Sequence, residues 1–351
     1  MTMENTIEKN LGLVIGQNTK QAEKNLALLD ALADNQFHSG QALANQFGIS
    51  RASISNWINK LRQAGVAIHS VSGKGYCFPE YVRPYDVNQL KSELDGAAEG
   101  ELINAKFLFD YQVESTSTNE TVKTLFKTTL HRPILATTEK QTQGRGRRGR
   151  VWHSPYAQNC YLSLGYRFNA ALSELSGLSL VVGLAFAEAL SELNFPVELK
   201  WPNDLYLNGK KLGGILVELE GTFDAPCDVI IGVGLNVNMP LNDDGTEQID
   251  QAWTSLSQYK GEVVDRTHLL LIIIPKLESF LAIFEQQGFT KFAQLWPQYD
   301  RYIDQAVNII SAEKVITGIA QGINEQGELL LQTEQGLLNI SGGEISLRPV
   351  E

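Results

Sequence analysis

Four arginines and three glycines fall within the seven residues of GRGRRGR, at 144–150, and Trp152 and His153 follow closely. An arginine side chain is a planar fork that binds carboxylate or phosphate oxygens two at a time. Glycines between arginines let the backbone approach a bound molecule. By composition alone, a solvated loop or an RNA-binding tract has the same pattern. The segment lies between predicted strands and no Arg/Gly repeat continues beyond it, which favours a loop that holds a small phosphorylated ligand.

Three further stretches carry polar groups in apolar surroundings. KWPNDLYL at 200–207 places Lys200 and Asp204 where a predicted strand ends, the place at which ligand groups gather in α/β folds. A surface ion pair beside a turn is the alternative. In KLGGILVE, Lys211 precedes a glycine pair that leaves room for a flat ligand against the sheet. GVGLNVN puts Asn236 in an apolar strand, where an asparagine bonded only to the backbone is the alternative.

The elements that must position these residues form an α/β domain with a mixed sheet. LNDDGTEQID at 241–250 is polar and predicts a mobile loop. From residue 304 onwards, short apolar segments separated by Gly, Asn and Glu predict a small all-β domain. In the central domain, apolar segments predict strands near 106–112, 134–138, 159–168, 197–200, 212–219 and 228–236, and helices at 118–128, 173–193, 266–286 and 289–296.

The N-terminal segment has the pattern of a winged helix-turn-helix unit. Helices fit 20–34, GQALANQF and RASISNWINKLRQAG, with Ser39 and Ser50 as N-caps and Gly48 closing the second helix. The short linker Gly-Ile-Ser is typical of a helix-turn-helix, and VAIHSV with YCF predicts a hairpin wing. A three-helix unit that only packs is the alternative. The outward residues of the third helix favour DNA binding, and Trp57 is expected to pack against the wing.

Composition limits the classes of function. The chain of 351 residues has 40 acidic and 29 basic side chains, a net charge of −11, which argues against nucleic-acid binding over its whole surface. Residues 20–80, by contrast, hold six Lys or Arg and four Asp or Glu. Three widely spaced cysteines without a CxxC pair predict reduced, buried thiols in a cytoplasmic protein. We expect no membrane span and no secretory signal.

The quoted motifs, in their order and spacing, resemble those of the bacterial bifunctional biotin protein ligases that also act as biotin operon repressors. STN at 117–119, QTQGRGRRGRVW at 141–152, KWPNDLYL, KLGGILVE and GVGLNVN carry the resemblance, which covers about 22–351. It implies a multi-domain α+β protein with five parts. These are a lead-in of unknown role at 1–19, a winged helix-turn-helix at 20–82, a linker at 83–100, a mixed-sheet α/β ligase domain at 101–300 and an SH3-like β-barrel at 301–351.

The resemblance implies that biotin and ATP give biotinyl-5′-AMP and pyrophosphate, after which biotin passes to a lysine of the biotin carboxyl carrier protein of acetyl-CoA carboxylase. Lys211, Arg145 and Arg147 would be catalytic. Asp204 is the candidate Mg²⁺ ligand. The biotin-binding residues would be Ser117, Thr118, Asn119, Gln141, Arg145, Gly146, Arg147, Lys211, Gly214 and Ile215. The ATP- or adenylate-binding residues would be Arg147, Arg148, Arg150, Trp152, Lys200, Asn203, Asn236 and Trp253.

The resemblance also implies that biotinyl-5′-AMP is a co-repressor, which orders mobile loops, promotes a homodimer and so brings two winged helices to operator DNA. A ligand-sensing transcription factor without catalysis and a lipoate ligase are the alternative functions. The polyphosphate-binding residues disfavour the first, and the winged helix with GRGRRGR disfavours the second. The predicted DNA-facing residues are Gly40, Gln41, Ser50, Arg51, Ala52, Ser53, Ser55, Asn56, Asn59, Lys60 and Lys74.

Overall fold

The computed structural model describes residues 19–97, 107–128, 132–220, 226–241, 246–311, 314–342 and 345–350. The predicted lead-in lies outside the described residues except for its last residue. Parts of the predicted linker and of the polar loop at 241–250 also lie outside them. The limits of the domains stay predictions.

The winged helix-turn-helix predicted from the sequence is confirmed. It consists of α1 (Thr19–Leu32), α2 (Gly40–Phe47), α3 (Arg51–Gln63) and the antiparallel pair β1 (His69–Val71) and β2 (Gly75–Cys77). The hydroxyl of Ser39 accepts from the backbone N–H of Ala42, and that of Ser50 from Ser53, so both predicted N-caps are present. Gly48 has φ 63°, the left-handed conformation that ends α2.

The central domain is built on a seven-stranded mixed sheet in the order β3-β4-β5-β9-β8-β7-β6. Only β3 and β4 run parallel, and the other neighbours are antiparallel. One strand, β7, was not predicted; it begins at Asp204, the last residue of the predicted turn. The strands are β3 (Leu108–Gln112), β4 (Ile134–Thr138), β5 (Cys160–Phe168), β6 (Val197–Lys200), β7 (Asp204–Leu207), β8 (Lys210–Glu220) and β9 (Cys227–Leu235).

Helices cover both faces of this sheet. On one face α6 and α8 bury their apolar residues together, and on the other α5 packs against β4, β5 and β9. Pro275 lies inside α8 without ending it. A short helix, α7, was not predicted. The helices are α4 (Val87–Ala97), α5 (Thr118–Phe126), α6 (Leu178–Glu192), α7 (Leu256–Lys260), α8 (Arg266–Gln287) and α9 (Thr290–Ala293).

Two helical segments, Leu172–Glu192 and Arg266–Gln287, have the length and apolar composition of membrane spans. One or two such helices are weak evidence for a membrane span, so they do not overturn the expectation that the chain has none. Much of each segment is buried within the protein, where both contribute to the main hydrophobic core. The same composition is typical of core helices in a soluble protein.

The predicted small β domain at the C-terminus is confirmed as a five-stranded antiparallel sheet in the order β13-β12-β11-β10-β14. It rests on the central domain, since the indole N–H of Trp201 donates to the carbonyl of Gly327 at 3.1 Å. The strands are β10 (Ala306–Ile310), β11 (Val315–Ile323), β12 (Leu329–Thr333), β13 (Gly336–Ile340) and β14 (Ser346–Pro349).

The winged helix is docked directly on the central domain. Its hydrophobic core includes Val113, Tyr156 and Ala157 of the central domain. Lys140 Nζ donates to the carbonyl of Ala64, just beyond the end of α3, at 2.5 Å. All three cysteines are buried thiols outside any disulfide, as the sequence predicts.

Candidate functional site

A cleft of about 460 Å³ opens on the sheet face that carries α5. Its volume is in the usual range for small-molecule sites, roughly 300–1,000 Å³. Every residue that the resemblance assigns to biotin, ATP or Mg²⁺ lines this cleft. The sequence therefore identifies the residues that meet there, although they come from six separate segments of the chain.

Three glycines form the floor of the cleft on β8 and β9. Gly214 and Gly234 are paired across the two strands, and Gly232 lies two residues from Gly234 on the same face. A Cβ atom at Gly232 would overlap the amide of Asn119, and one at Gly234 would overlap the indole of Trp152. Only glycine leaves space for these side chains. Gly232 and Gly234 are missing from the sequence-based site, although their spacing of two in GVGLNVN indicates one sheet face.

A compact hydrogen-bonded cluster occupies one end of the cleft. The backbone N–H of Thr118 donates to Gln141 Oε1 at 3.0 Å. The hydroxyl of Ser163 lies 2.6 Å from both Thr118 Oγ1 and Asn119 Oδ1. Ser117 is buried beside them and does not cap its own helix. Ser163 is a residue that the sequence reasoning missed, because a lone serine in an apolar strand gives no signal.

The arginine loop crosses the cleft as a short 3-10 turn at Arg147–Gly149. Arg147 Nη1 donates to Asn203 Oδ1 at 2.8 Å, and Asn203 Nδ2 donates to the carbonyl of Ile215 at 2.9 Å. Burial lowers the pKa of Arg147, and nearby Asp204 opposes that effect. An arginine side chain is not deprotonated in proteins, so the guanidinium stays charged. Arg148 and Arg150 are exposed, and Arg148 has a positive φ of 59°.

Two lysines flank one carboxylate at the centre of the cleft. Lys211 Nζ lies 2.8 Å from Asp204 Oδ1, and Lys200 Nζ lies 3.9 Å from Asp204 Oδ2. Burial lowers the pKa of Lys200, Asp204 raises it and Lys211 lowers it further. Lys211 Nζ also sits 5.7 Å from the ring centroid of Trp152. With Arg147, three cations surround one carboxylate, and this excess of positive charge suits a polyanion.

The remaining wall comes from the loop before α7 and from the C-terminal domain. Thr254 N–H donates to the carbonyl of Lys211 at 2.9 Å, which holds Trp253 beside the start of β8. Asn236 Nδ2 donates to the carbonyl of Thr254 at 3.0 Å. The sequence alone left open an asparagine that is bonded only to the backbone. Asn236 does have a backbone partner, and it also borders the cleft. Sequence reasoning missed several lining residues: His153, Met239, Ile249, Asp250, Gln251, Ile345, Ser346 and Leu347.

Ile215 borders the cleft, as expected, but its side chain points to the other side of the sheet. Its Cδ1 lies about 3.5 Å from the position of a Cβ at Gly183 on α6. Side chains alternate along a strand, so Leu216 and Glu218 share the cleft face with Gly214. Leu216 therefore presents its side chain to the cleft beside Gly214.

On the winged helix, ten of the eleven predicted DNA-facing residues are exposed or half-buried. Gly40 is the exception, since it is buried against the side chains of Arg51 and Tyr76. Trp57 is half-buried against the core of the winged-helix unit, in line with a packing role. Its ring lies 6.2 Å from that of Phe47 at the end of α2, and Lys24 Nζ lies 5.8 Å from the Trp57 ring.

Sequence comparison finds three families along the chain. Residues 24–77 match an HTH domain, 109–236 match the Biotin/lipoate A/B protein ligase family, and 302–348 match the Biotin protein ligase C terminal domain.

The chain is 39% identical to the Bifunctional ligase/repressor BirA of Salmonella typhimurium over 331 residues, which cover 93% of this chain and 98% of the relative. The corresponding protein of Bacillus subtilis is 33% identical and covers 92% of this chain and 98% of its own length. Among solved structures, the biotin protein ligase from Aquifex aeolicus in complex with biotin and ATP superposes with a TM-score of 0.59 at 32% identity, covering 69% of this chain and 99% of that one. The chain belongs to the biotin protein ligase family, in the group that carries an N-terminal helix-turn-helix domain.

Proposed function

We propose that the chain joins biotin to a protein in two steps. An oxygen of the biotin carboxylate attacks the α-phosphorus of ATP, and the bond to pyrophosphate breaks. The ε-amine of an acceptor lysine then attacks the acyl carbon of biotinyl-5′-AMP, and AMP leaves as the amide forms and the amine loses a proton. No protein nucleophile takes part. The acceptor is the biotin carboxyl carrier protein of acetyl-CoA carboxylase.

The proposed biotin site is the end of the cleft that contains Ser117, Thr118, Asn119 and Gln141. The ureido group of biotin has two N–H donors and one acceptor, which match hydroxyl and amide side chains. Its apolar ring requires a flat, weakly polar surface, and the glycine floor with Leu216 supplies one.

The proposed catalytic groups are Lys211, Arg145 and Arg147. A carboxylate that approaches a phosphate about 4 Å away is repelled by about 4 kcal/mol at an effective dielectric of 20. Fixed cations remove this repulsion and stabilise the charge that develops in the transition state. Arg147 is held by Asn203 and Lys211 by Asp204, so both cations are oriented before substrate arrives.

For ATP we assign the opposite end of the cleft, where Trp152, Trp253 and Asn236 meet Lys200 and Arg147. The two tryptophans would hold the adenine, and Arg148 and Arg150, exposed at the rim, would reach the phosphates. Asn203 would support Arg147.

Among the described residues there is no cluster of three or more His, Cys, Asp or Glu side chains that would hold a metal ion by itself. The donor set fits Mg²⁺ only with one carboxylate, Asp204, and the phosphate oxygens of ATP, which is a usual arrangement for this ion. When bound, Mg²⁺ would neutralise phosphate charge. The role of Asp204 that the geometry supports directly is to orient Lys211.

The observation that carries the proposal is the convergence of Arg147, Lys200 and Lys211 over a glycine floor. Its test is biotin-dependent exchange of labelled pyrophosphate into ATP with Mg²⁺. We expect exchange by the intact protein, none without biotin, and a loss of at least about a hundredfold in Arg147→Ala. The control Arg132→Ala changes an exposed arginine away from the cleft. Lipoate added in competition should not reduce exchange. Absence of exchange in folded, biotin-binding protein would favour the non-catalytic sensor.

We further propose that biotinyl-5′-AMP makes the chain a repressor by favouring a homodimer that binds operator DNA. Two features support this. The DNA-facing residues are exposed on α3, and β7 pairs with β8 only as far as Gly214, so 216–220 have one open edge among the described residues. We expect sedimentation to show dimers, and DNA affinity to rise, only with biotin plus ATP. Unchanged DNA affinity would refute the co-repressor role. We place the protein in the cytoplasm, where thiols remain reduced.

A further inference from the structure

Glu218 lies between two of the residues that the proposed function places at different parts of biotin. Its Oε2 accepts a hydrogen bond from Asn119 Nδ2 at 2.6 Å, and its Oε1 lies 3.6 Å from Arg145 Nη2. Its side chain is about one third exposed, and its position on β8 puts it on the same sheet face as Gly214. Through one carboxylate, the proposed ureido end of the site is connected to the arginine loop.

The orientation of Asn119 depends on this carboxylate. Asn119 Oδ1 accepts from the buried hydroxyl of Ser163, so its Nδ2 must face Glu218. Gly232 beneath it has no room for a Cβ, which shows how closely the amide lies against the strand. A carboxylate can accept from two donors at once, whereas an amide side chain offers only one oxygen.

Arg145 has a second carboxylate partner in the ligand-free protein. Its Nη2 lies 2.5 Å from Glu120 Oε1, on the first turn of α5. Glu120 and Glu218 together hold the guanidinium beside Asn119. Glu120 contacts only Arg145 in this group, so Glu218 alone connects both side chains.

We propose that Glu218 is a positioning residue for biotin, which sets Asn119 and Arg145 at the spacing that the ureido and carboxyl groups of one biotin molecule require. The proposal rests on the proposed ligase function. Glu218 does not react and need not touch biotin. It acts through the two side chains that it orients, so its loss should weaken biotin binding more than it slows the chemical step.

The test compares Glu218→Gln with Asp228→Asn in the biotin-dependent pyrophosphate exchange. Asp228 is a matched control, because it is a half-buried carboxylate in an ion pair with Arg167, paired opposite Glu220 and beyond the residues that line the cleft. For Glu218→Gln we expect KM for biotin to rise about tenfold, which corresponds to about 1.4 kcal/mol. KM for ATP and kcat should change less than about threefold. For Asp228→Asn, KM for biotin should be unchanged.

A double-mutant cycle separates positioning from a general loss of structure. If Glu218 acts partly through Asn119, the variant Asn119→Ala/Glu218→Gln should lose less biotin affinity than the sum of the two single losses. The biotin affinity of each variant is measured at equilibrium, at a temperature at which circular dichroism shows that all variants are folded. The comparison then holds even if one variant is less stable. Additive losses, or an unchanged KM for biotin in Glu218→Gln, would overturn the proposal. If the intact protein shows no exchange, the ligase function itself fails. That result differs from additive losses and from an unchanged KM for biotin, which concern Glu218 alone.

Discussion

Replacement of Lys211 by methionine tests the central electrostatic claim. Methionine keeps much of the length and apolar volume of the lysine stem and removes only the charge. In the structure this charge lies 2.8 Å from Asp204 and 5.7 Å from the ring centroid of Trp152, with 13% of the side chain exposed. We expect adenylation to fall by about a hundred- to a thousandfold in this variant.

The magnitude follows from the geometry. A cation about 4 Å from a developing negative charge contributes about 4 kcal/mol at an effective dielectric of 20. Each 1.4 kcal/mol is about a factor of ten in rate, so complete loss corresponds to nearly a thousandfold, and water that enters the space reduces it. In this variant the carboxylate of Asp204 still has Lys200 Nζ at 3.9 Å, so Asp204 is not left without a counter-ion. We therefore expect a stability loss of only about 1–2 kcal/mol.

The assay is single-turnover formation of biotinyl-5′-AMP at saturating biotin and ATP, so that binding and chemistry are separated. Lys210→Met is the matched control, since this neighbouring lysine is exposed and alternates to the other side of β8. It should react at the wild-type rate. If Lys211→Met retains adenylation within about tenfold of the wild type while its fold is intact, the charge at this position does not stabilise the transition state.

Three further predictions concern packing, burial and protonation. Glu139→Gln should destabilise the protein by about 3–5 kcal/mol in denaturant unfolding, because it leaves the guanidinium of Arg266 charged and fully buried without its counter-ion at 2.6 Å. Gly234→Ala should raise KM for ATP by about tenfold, because the new Cβ would lie 2.5 Å from Trp152 Nε1 and force the indole to move. Because burial lowers the pKa of Lys200, the affinity for ATP should fall as pH rises, starting below the usual lysine value of about 10.4.

Each of these has its own control. Glu192→Gln removes an exposed ion pair with Lys276 and should change stability by less than about 0.5 kcal/mol. If Glu139→Gln lowered the free energy of unfolding no more than Glu192→Gln does, the buried-charge argument would be refuted. Gly342→Ala adds a methyl group in open space and should leave KM for ATP unchanged. Lys200→Arg keeps its charge to higher pH, so its ATP affinity should not fall where that of the wild type does. If ATP affinity falls at the same pH in both proteins, a group other than Lys200 is titrating.

The sequence predicts the fold well where local chemistry decides the structure. Ser39, Ser50 and Gly48 mark helix ends by side-chain and backbone preferences that need no tertiary contact, and all three are found in the predicted roles. The strand β7 was missed because Asp204–Leu207 directly follows a proline and an asparagine, which indicate a turn. Its pairing with β6 and β8 is a long-range property of the sheet, and no local pattern reports it.

In the candidate site, too, local residue types could be predicted and long-range contacts could not. The residue types of the arginines, the lysines and the Ser-Thr-Asn run indicate what they can bind, so these residues can be predicted from the sequence. Ser163 and Glu218 act by accepting or donating within a network, and their types are common in any strand. The direction of the Ile215 side chain could not be predicted, because β8 has a bulge just before the glycine pair, where its register with β7 shifts. A bulge changes which side chains share a face, and this is not visible in the apolar pattern.

The three residues after β4 connect the two proposed activities in one segment. The side chain of Gln141 accepts from Thr118 in the cleft, and that of Lys140 donates to Ala64 beyond the recognition helix. The side chain of Glu139 pairs with the buried Arg266 and also accepts from the backbone N–H of Tyr85, in the segment that joins the winged helix to the sheet. Glu139 is fixed by an enclosed ion pair, whereas Lys140 reaches Ala64 through one flexible side chain that also lies 3.5 Å from Glu114. If ligand binding moves the backbone at Gln141, we therefore expect the contact with Ala64 to change before the ion pair of Glu139 does.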